Sequence, residues 1–155
     1  NKHDNVLVLR SFSKGYGLAG MRLGYLFGAE TLIDPIVTKT RDSYNIDHIS
    51  QAVGLAAFSD QAYAQNTWAS VREQRELVRN ALQRLGLESP SSQANFILAT
   101  VSKDSPCNAE TLYETLKREG ILVRYFPSMK DKLRVSIGTP EENGEFLATL
   151  TKLLA

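Results

Sequence analysis

The feature that most constrains the fold is a glycine-rich stretch between two short apolar runs, Val6–Leu9 and Leu23–Gly28. Both runs are predicted strands, the first of the kind that is buried in parallel sheets. Gly15, Gly17 and Gly20 match the G-x-G-x-x-G spacing of dinucleotide-binding loops. Such a loop must be followed at once by a helix. Because a second strand follows instead, dinucleotide binding is kept only as an alternative.

A lysine precedes these glycines, among residues that suit a phosphate ligand. Lys14 follows Ser11 and Ser13, and Arg22 comes eight residues later. Hydroxyl groups, backbone N–H groups and an arginine fork are what a phosphate monoester requires. An isolated lysine would be interpreted as a solvated surface residue. This combination instead favours a Schiff-base lysine beside a bound phosphate, which is the chemistry of enzymes that use pyridoxal 5′-phosphate (PLP).

Two helical segments are predicted after the second strand. The first, residues 29–39, is weak and is interrupted by Pro35. The second, residues 47–59, begins with Asp47 as its cap. Its apolar face is predicted from four side chains: Ile49, Val53, Ala56 and Ala57.

From about residue 66 the predicted order is α-β-α-β-β-α, which closes as a small sheet covered by helices. The elements are predicted over residues 67–85, 93–101, 108–120, 121–125, 132–137 and from 139 onward. The first helix has an apolar face, on which Trp68 is expected to pack in the core, and an Arg/Glu-rich opposite face. Thr139, Pro140 and Glu142 predict a capping box at the start of the last helix.

This pattern predicts two parts. Residues 66–155 form a small C-terminal α/β domain, and residues 1–60 form the C-terminal remnant of a larger domain, because two short strands and a helix cannot bury a covered sheet without neighbours. The missing initiator methionine also indicates a piece of a longer chain.

The composition of the chain limits the classes of binding partner that we expect. A formal net charge of +1 gives no basic surface for nucleic acid or membranes. The single cysteine, Cys107, excludes an internal disulfide and fits a reducing compartment. No apolar run approaches the roughly 20 residues that span a bilayer. His3 and His48 lack metal-ligand spacing, so no metal site is expected. We therefore expect a cytoplasmic protein that binds small molecules.

Several segments together resemble the class I/II (fold type I) PLP-dependent aminotransferases, and within them most closely the histidinol-phosphate aminotransferases. These segments are residues 11–25, 44–51, 92–96, 120–124 and 133–139. They follow in order through essentially the whole chain, and the signature around Lys14 is highly specific. The resemblance implies an α/β fragment of PLP-dependent transferase fold type I, in which the end of the large-domain sheet precedes the small domain.

For the cofactor, the resemblance implies that Lys14 forms the internal aldimine with PLP. It implies that Ser11 and Arg22 hold the cofactor phosphate. Ser13 and Tyr16 match the family less firmly, as residues that shape the phosphate pocket and the turn.

For the substrate, Arg134 matches the family arginine that takes the α-carboxylate. The strand pattern alone favours an outward-facing surface residue, although a carboxylate clamp suits Arg better than Lys. Arg124 is a second candidate cation, near the cofactor or the far anionic end of the substrate.

The implied function belongs to histidine biosynthesis. A homodimeric aminotransferase would transfer an amino group between an amino acid and a 2-oxo acid or imidazole-acetol phosphate. In the family, the aspartate, aromatic and asparagine residues that surround the pyridine ring come before the lysine, and only thirteen residues precede Lys14 here. We expect the 155 residues alone to be inactive. The alternatives are a non-catalytic binding or dimerisation module of the same fold, an aromatic aminotransferase and a threonine-phosphate decarboxylase.

Overall fold

The computed structural model describes residues 3–155. The chain divides into two compact units, the first ending at Trp68 and the second covering Ala69–Ala155. The long helix α3 (Gln61–Arg84) contributes its first residues to one unit and the remainder to the other.

In the first unit, β1 (Leu7–Ser11) and β2 (Gly24–Gly28) form an antiparallel two-stranded sheet. Both predicted strands are therefore present. The prediction that the first is a buried parallel strand is wrong, since it runs antiparallel to the second and most of its residues are exposed. A direct loop joins the two strands, whereas parallel neighbours would need a crossover connection. A Cβ at Gly24 would lie 2.7 Å from the Arg10 carbonyl oxygen, so this pairing requires glycine.

The predicted break at Pro35 is observed. Helix α1 (Glu30–Pro35) ends there, and a π-type turn follows over Ile36–Thr40. Helix α2 (His48–Ser59) begins as predicted at Asp47, whose carboxylate accepts the Ser50 backbone N–H at 2.8 Å.

The predicted apolar face of α2 is wrong for Ile49 and Ala56, which are exposed, while Val53 and Ala57 are half-buried. Ile49 is 70% exposed, and the buried residues of the helix are Ser50 and Gly54. A Cβ at Gly54 would collide with the side chain of Leu23. The helix approaches its neighbour so closely that small residues occupy the most buried positions of its packing face.

Helix α3 begins at Gln61, before the predicted start at residue 67. The cause is Asp60, whose carboxylate accepts the Tyr63 backbone N–H at 3.1 Å and so caps a new helix directly after α2. The helix ends at Arg84, and Gly86, which has φ +80°, follows as the glycine that turns the chain away. The Arg/Glu-rich face is not uniformly exposed, because Arg75 on α3 is only 6% exposed.

The second unit has the predicted element order. Its sheet consists of β3 (Phe96–Thr100), β4 (Arg124–Tyr125) and β5 (Lys132–Ser136) in the spatial order β3-β5-β4, with antiparallel pairing throughout. Helices α4 (Ala109–Arg118) and α5 (Pro140–Leu154) complete it. The predicted capping box at Thr139 and Glu142 is present.

A closed hydrophobic core joins these elements. It includes Leu82 of α3, Ile97 of β3, Leu112 of α4 and Leu150 of α5, each almost fully buried. Among the described residues, no helix has the length and hydropathy needed to cross a membrane.

Candidate active site

The connection between β1 and β2, residues 12–23, is a closed loop that we call the Lys14 loop. The Phe12 backbone N–H donates to the Leu23 carbonyl at 3.0 Å, directly beyond the last strand pair, Ser11 with Gly24. Inside the loop, the Leu18 N–H donates to the Phe12 carbonyl, also at 3.0 Å. Ser11 and Arg22 therefore flank the two ends of the loop, next to the residues whose bond closes it.

Lys14 lies in a tight turn of this loop. The Gly17 N–H donates to the Lys14 carbonyl at 3.2 Å, and Gly17 has φ +69°, a conformation that favours glycine. The Lys14 side chain is exposed and forms no ion pair with any residue in the range 3–155. Its amine is therefore not held by a carboxylate of the described residues.

The two serines before Lys14 are linked by a local hydrogen bond. The Ser13 backbone N–H donates to Ser11 Oγ at 3.1 Å. Because that bond uses the Ser11 oxygen as an acceptor, the hydroxyl proton remains available for another acceptor. An anionic oxygen is the kind of group that such a donor prefers.

Arg22 has an unusual backbone. Its φ of 52° makes it the only non-glycine residue with positive φ in the part of the chain that the structure describes. This left-handed conformation costs roughly 1–3 kcal/mol for a residue other than glycine, and such residues cluster at functional sites. Arg22 Nη1 donates to the Ala19 carbonyl at 2.9 Å, which fixes the side chain, and its other donors have no partner among residues 3–155.

An aromatic cluster formed by two residues of the Lys14 loop and Trp68 packs together in the first unit. Phe12 is 6% exposed, and its ring lies 4.8 Å from the ring of Tyr16, centroid to centroid. The Tyr16 ring meets Trp68 edge-on at 5.5 Å, and Trp68 Nε1 donates to the Gly15 carbonyl. Trp68 was predicted as a core residue and is instead a half-buried partner of the loop. Nothing in local spacing indicates a contact between residues 53 positions apart.

In the second unit, the predicted substrate cations lie on paired strands. Arg124 of β4 and Arg134 of β5 are directly opposite each other in the register. Like charges in that arrangement repel. Each guanidinium also lies 5.2 Å from an aromatic ring, Arg124 over Phe126 and Arg134 over Phe96. The buried Nε of Arg134 has no hydrogen-bond partner among residues 3–155.

Tyr125 adjoins this pair. Burial, with the Glu110 carboxylate as a smaller cause, raises the pKa of its phenol above the ordinary value. A separate cleft of about 440 Å³ in the second unit is lined by residues of α5 and of the chain segments 120–123 and 135–138. Neither arginine lines that cleft.

The predicted site residues thus fall into two sets. Ser11, Ser13, Lys14 and Arg22 share the Lys14 loop or its ends in the first unit. Arg124 and Arg134 share one cross-strand pair in the second. Within the described residues no cluster of three or more His, Cys, Asp or Glu residues could hold a metal ion.

Comparison with known proteins decides the family. Residues 1–150 match the sequence profile described as aminotransferase class I and II. The chain belongs to the class I and II aminotransferases. The match covers the Lys14 loop and both arginines of the cross-strand pair.

Individual relatives agree with this family. The chain is 43% identical over 155 residues to histidinol-phosphate aminotransferase 1 of Trichormus variabilis, covering 99% of this chain and 43% of that protein. It is equally identical over 154 residues to histidinol-phosphate aminotransferase 1 of a Nostoc species, covering 98% and 42%. The chain thus spans less than half the length of these relatives.

Among solved structures, the chain is similar to the histidinol-phosphate aminotransferase of Sinorhizobium meliloti, which was solved in complex with pyridoxal-5′-phosphate. The TM-score is 0.82 and the identity 27%, covering 97% of this chain and 41% of that one. The predicted fold, a partial PLP-dependent transferase of type I, is confirmed by this similarity.

Proposed function

We propose that the protein to which these 155 residues belong is a PLP-dependent aminotransferase of the histidinol-phosphate type. It would exchange an amino group between an amino acid and a 2-oxo acid or imidazole-acetol phosphate. The family and the relatives support this activity, and because the chain covers 43% of the first relative, the activity is assigned to the longer protein. The 155 residues alone are expected not to turn over.

The observation that carries the proposal is the geometry of the Lys14 loop. Its closing bond, between Phe12 and Leu23, brings together the two chain ends that carry Ser11 and Arg22, while Lys14 occupies the turn between them. The Ser11 hydroxyl proton and the Arg22 guanidinium donors that have no partner in the described chain fit a phosphate monoester. Ser11, Ser13 and Arg22 would hold the phosphate of PLP, and Lys14 would hold the cofactor covalently through its ε-amine.

Lys14 has a second task in this proposal. When bound, PLP supplies the electron sink that stabilises negative charge at the substrate Cα. Lys14 Nζ would remove the proton from that Cα. A positioned proton transfer of this kind contributes about 10²–10⁴ in rate. The exposed amine, which pairs with no carboxylate of the described residues, suits both tasks.

The cross-strand arginine pair supports an anionic substrate. Two guanidinium groups opposite each other repel, and an anion placed near them removes that cost. Arg134 would take the substrate α-carboxylate, because its buried Nε lacks a partner in the described chain. Arg124, which is exposed, would meet the far anionic end of the substrate or the cofactor.

Cytoplasmic location, a homodimer and the absence of nucleic-acid and membrane partners complete the proposal. One observation favours the alternative of a non-catalytic dimerisation module. Leu9 is 72% exposed, and Tyr25 and Phe27 on the paired strand are exposed as well. These apolar side chains would suit a contact with another chain. Light scattering after size-exclusion chromatography tests it, since a clean monomer would argue against such a contact.

The activity is tested in the full-length protein with Lys14→Ala. Amino transfer from histidinol phosphate is expected to fall by at least 10²–10⁴-fold, the range for a lost proton-transfer group. Lys103→Ala, which removes an exposed lysine of the second unit, should leave the rate unchanged. Full activity of Lys14→Ala would contradict the proposal. Preference for an aromatic donor, or release of CO₂ from threonine phosphate, would select the other PLP enzymes instead.

A further inference from the structure

We propose that Trp68 is a positioning residue for Lys14. It would hold the turn that carries the lysine through one indole hydrogen bond and one ring contact. This inference rests on the proposed role of Lys14 as the residue that binds the cofactor.

The contact is direct and local to the first unit. Trp68 Nε1 donates to the Gly15 carbonyl at 2.6 Å, and Gly15 is the residue next to Lys14. The same indole meets the Tyr16 ring at 5.5 Å with an interplanar angle of 84°, an edge-to-face geometry. Trp68 therefore touches both residues that follow Lys14.

Other side chains also contact the turn that carries Lys14. Tyr16 packs on the buried ring of Phe12, and Gln61 Nε2 donates to the Tyr16 hydroxyl at 3.4 Å. Gln61 and Trp68 both belong to α3, one helical segment. The early start of α3 therefore places two side chains of the same rigid element against one turn.

Gly15 is fitted to this partner. Its φ is not positive, so its backbone does not itself require glycine. A Cβ at Gly15 would lie 3.1 Å from Trp68 Nε1, closer than ordinary van der Waals contact. The absence of a side chain at Gly15 is what lets the indole approach the backbone.

The orientation of this peptide group matters because it affects where the Lys14 amine lies. A long flexible side chain leaves the position of its amine dependent on the direction in which the backbone presents it. The peptide group is planar and rigid, so a bond to the Gly15 carbonyl restrains the Gly15–Tyr16 plane, which lies inside the turn closed by Lys14 and Gly17. A displacement of about 1 Å at a reacting group can cost on the order of 10²-fold in rate.

The first test measures the turn without any cofactor, by amide hydrogen exchange of the 155-residue chain. Trp68→Phe keeps a ring but removes the N–H donor. Exchange at the Gly17 and Leu18 amides, which close the turn, should become about fivefold faster, the effect of one ordinary hydrogen bond. Amides of β5 should not change. Tyr63→Phe is the matched control, an exposed ring on the same helix.

A measurement on the unsubstituted chain keeps the test independent of how Trp68→Phe folds. The chain has a single tryptophan, so it gives one indole N–H signal. That proton should exchange slowly because it is bonded to Gly15. Exchange at the rate of a free indole, or unchanged Gly17 and Leu18 exchange in Trp68→Phe, would overturn the inference.

The second test connects the turn to the chemistry. The chain is incubated with PLP, reduced with borohydride and mapped, and the adduct on Lys14 is compared with that on exposed Lys103. Trp68→Phe should lower this ratio severalfold, and Tyr63→Phe should not. Faster exchange with an unchanged ratio would show a purely structural role and refute positioning. A ratio near one in the unsubstituted chain would instead refute the proposed function, while the exchange data would still report on the contact.

Substitution of Gly15 gives a coupling test. Gly15→Ala should itself loosen the turn, because the new methyl group meets the indole nitrogen. The same substitution should have a smaller effect in Trp68→Phe, which lacks that nitrogen. Equal effects in both backgrounds would contradict a direct contact between the two residues.

Discussion

The two units of the chain differ in where their hydrophobic side chains lie. In the second unit, Leu82, Ile97 and Leu112 belong to a closed core and are almost fully buried. In the first unit, Phe12 and Ala64 are the buried hydrophobic residues among those described. The first unit instead exposes large apolar side chains such as Leu9.

This difference indicates that the second unit supplies most of the folding stability, whereas the first unit carries the proposed reactive lysine. Burial of apolar area is the main source of folding free energy, and the second unit has most of it. The Lys14 loop lies in the first unit, where polar bonds and one aromatic cluster hold the backbone. Functional loops are commonly drawn from the less stable parts of a structure. The comparison predicts that substitutions in the core of the second unit change the free energy of unfolding. Substitutions in the Lys14 loop of the first unit should instead change cofactor binding.

The largest effect is expected from the core of the second unit. Leu82→Ala should lower the free energy of unfolding by about 2–5 kcal/mol, since it removes a fully buried side chain and leaves a cavity. Leu77→Ala is the matched control on the same helix, because Leu77 is 53% exposed. Urea unfolding followed by circular dichroism measures both. A loss for Leu82→Ala as small as that for Leu77→Ala would break the comparison.

A smaller effect is expected from the buried arginine of α3. Arg75 Nη1 donates to the Ala94 carbonyl at 3.0 Å, just before β3. Arg75→Ala should cost about 2 kcal/mol, the range for a hydrogen bond from a charged group. Arg72→Ala, three residues earlier and exposed, should be nearly neutral. Equal unfolding midpoints for the two variants would show that this polar contact does not stabilise the second unit.

The smallest effect concerns the pH response of the first unit. The Ser50 hydroxyl, then its backbone N–H, hold the pKa of Asp47 below its usual value. A lowered folded pKa means that this stabilisation is present above the unfolded pKa, near 3.9. It is lost as pH falls through the folded value.

Amide exchange in α2 should therefore accelerate below about pH 4 relative to its intrinsic rate. In Asp47→Ala, which lacks the titrating group, this additional acceleration should disappear. Amides of β5 serve as the internal reference. An α2 response that is identical in Asp47→Ala would show that another group controls it.

Sequence predicted the second unit well because its signals are local. The capping residues Asn108 and Thr139 and the glycine ends Gly86 and Gly120 set its helices, and alternation along β3 and β5 set its strands. Each signal needs only a few neighbouring residues. The close spacing of Ser11, Lys14 and Arg22 in the sequence likewise predicted that they belong to one site.

The errors have a common cause, which is dependence on contacts distant in sequence. The packing face of α2 is set by Leu23 against Gly54, and hydrophobicity alone pointed to Ile49. The bond from Trp68 to Gly15 joins a helix to a loop of the same unit without any shared motif. The Arg/Glu-rich face of α3 does not indicate which of its residues is covered, and Arg75 is buried by tertiary packing.

The most direct test of the account asks whether Lys14 is the reactive lysine of the chain. The 155-residue chain is incubated with PLP, reduced with borohydride, digested and mapped by mass spectrometry. The account predicts a pyridoxyl adduct concentrated on Lys14, and its loss in Ser11→Ala/Arg22→Ala, which removes the proposed phosphate contacts. Adducts spread evenly over Lys14 and the exposed lysines of the second unit would contradict it.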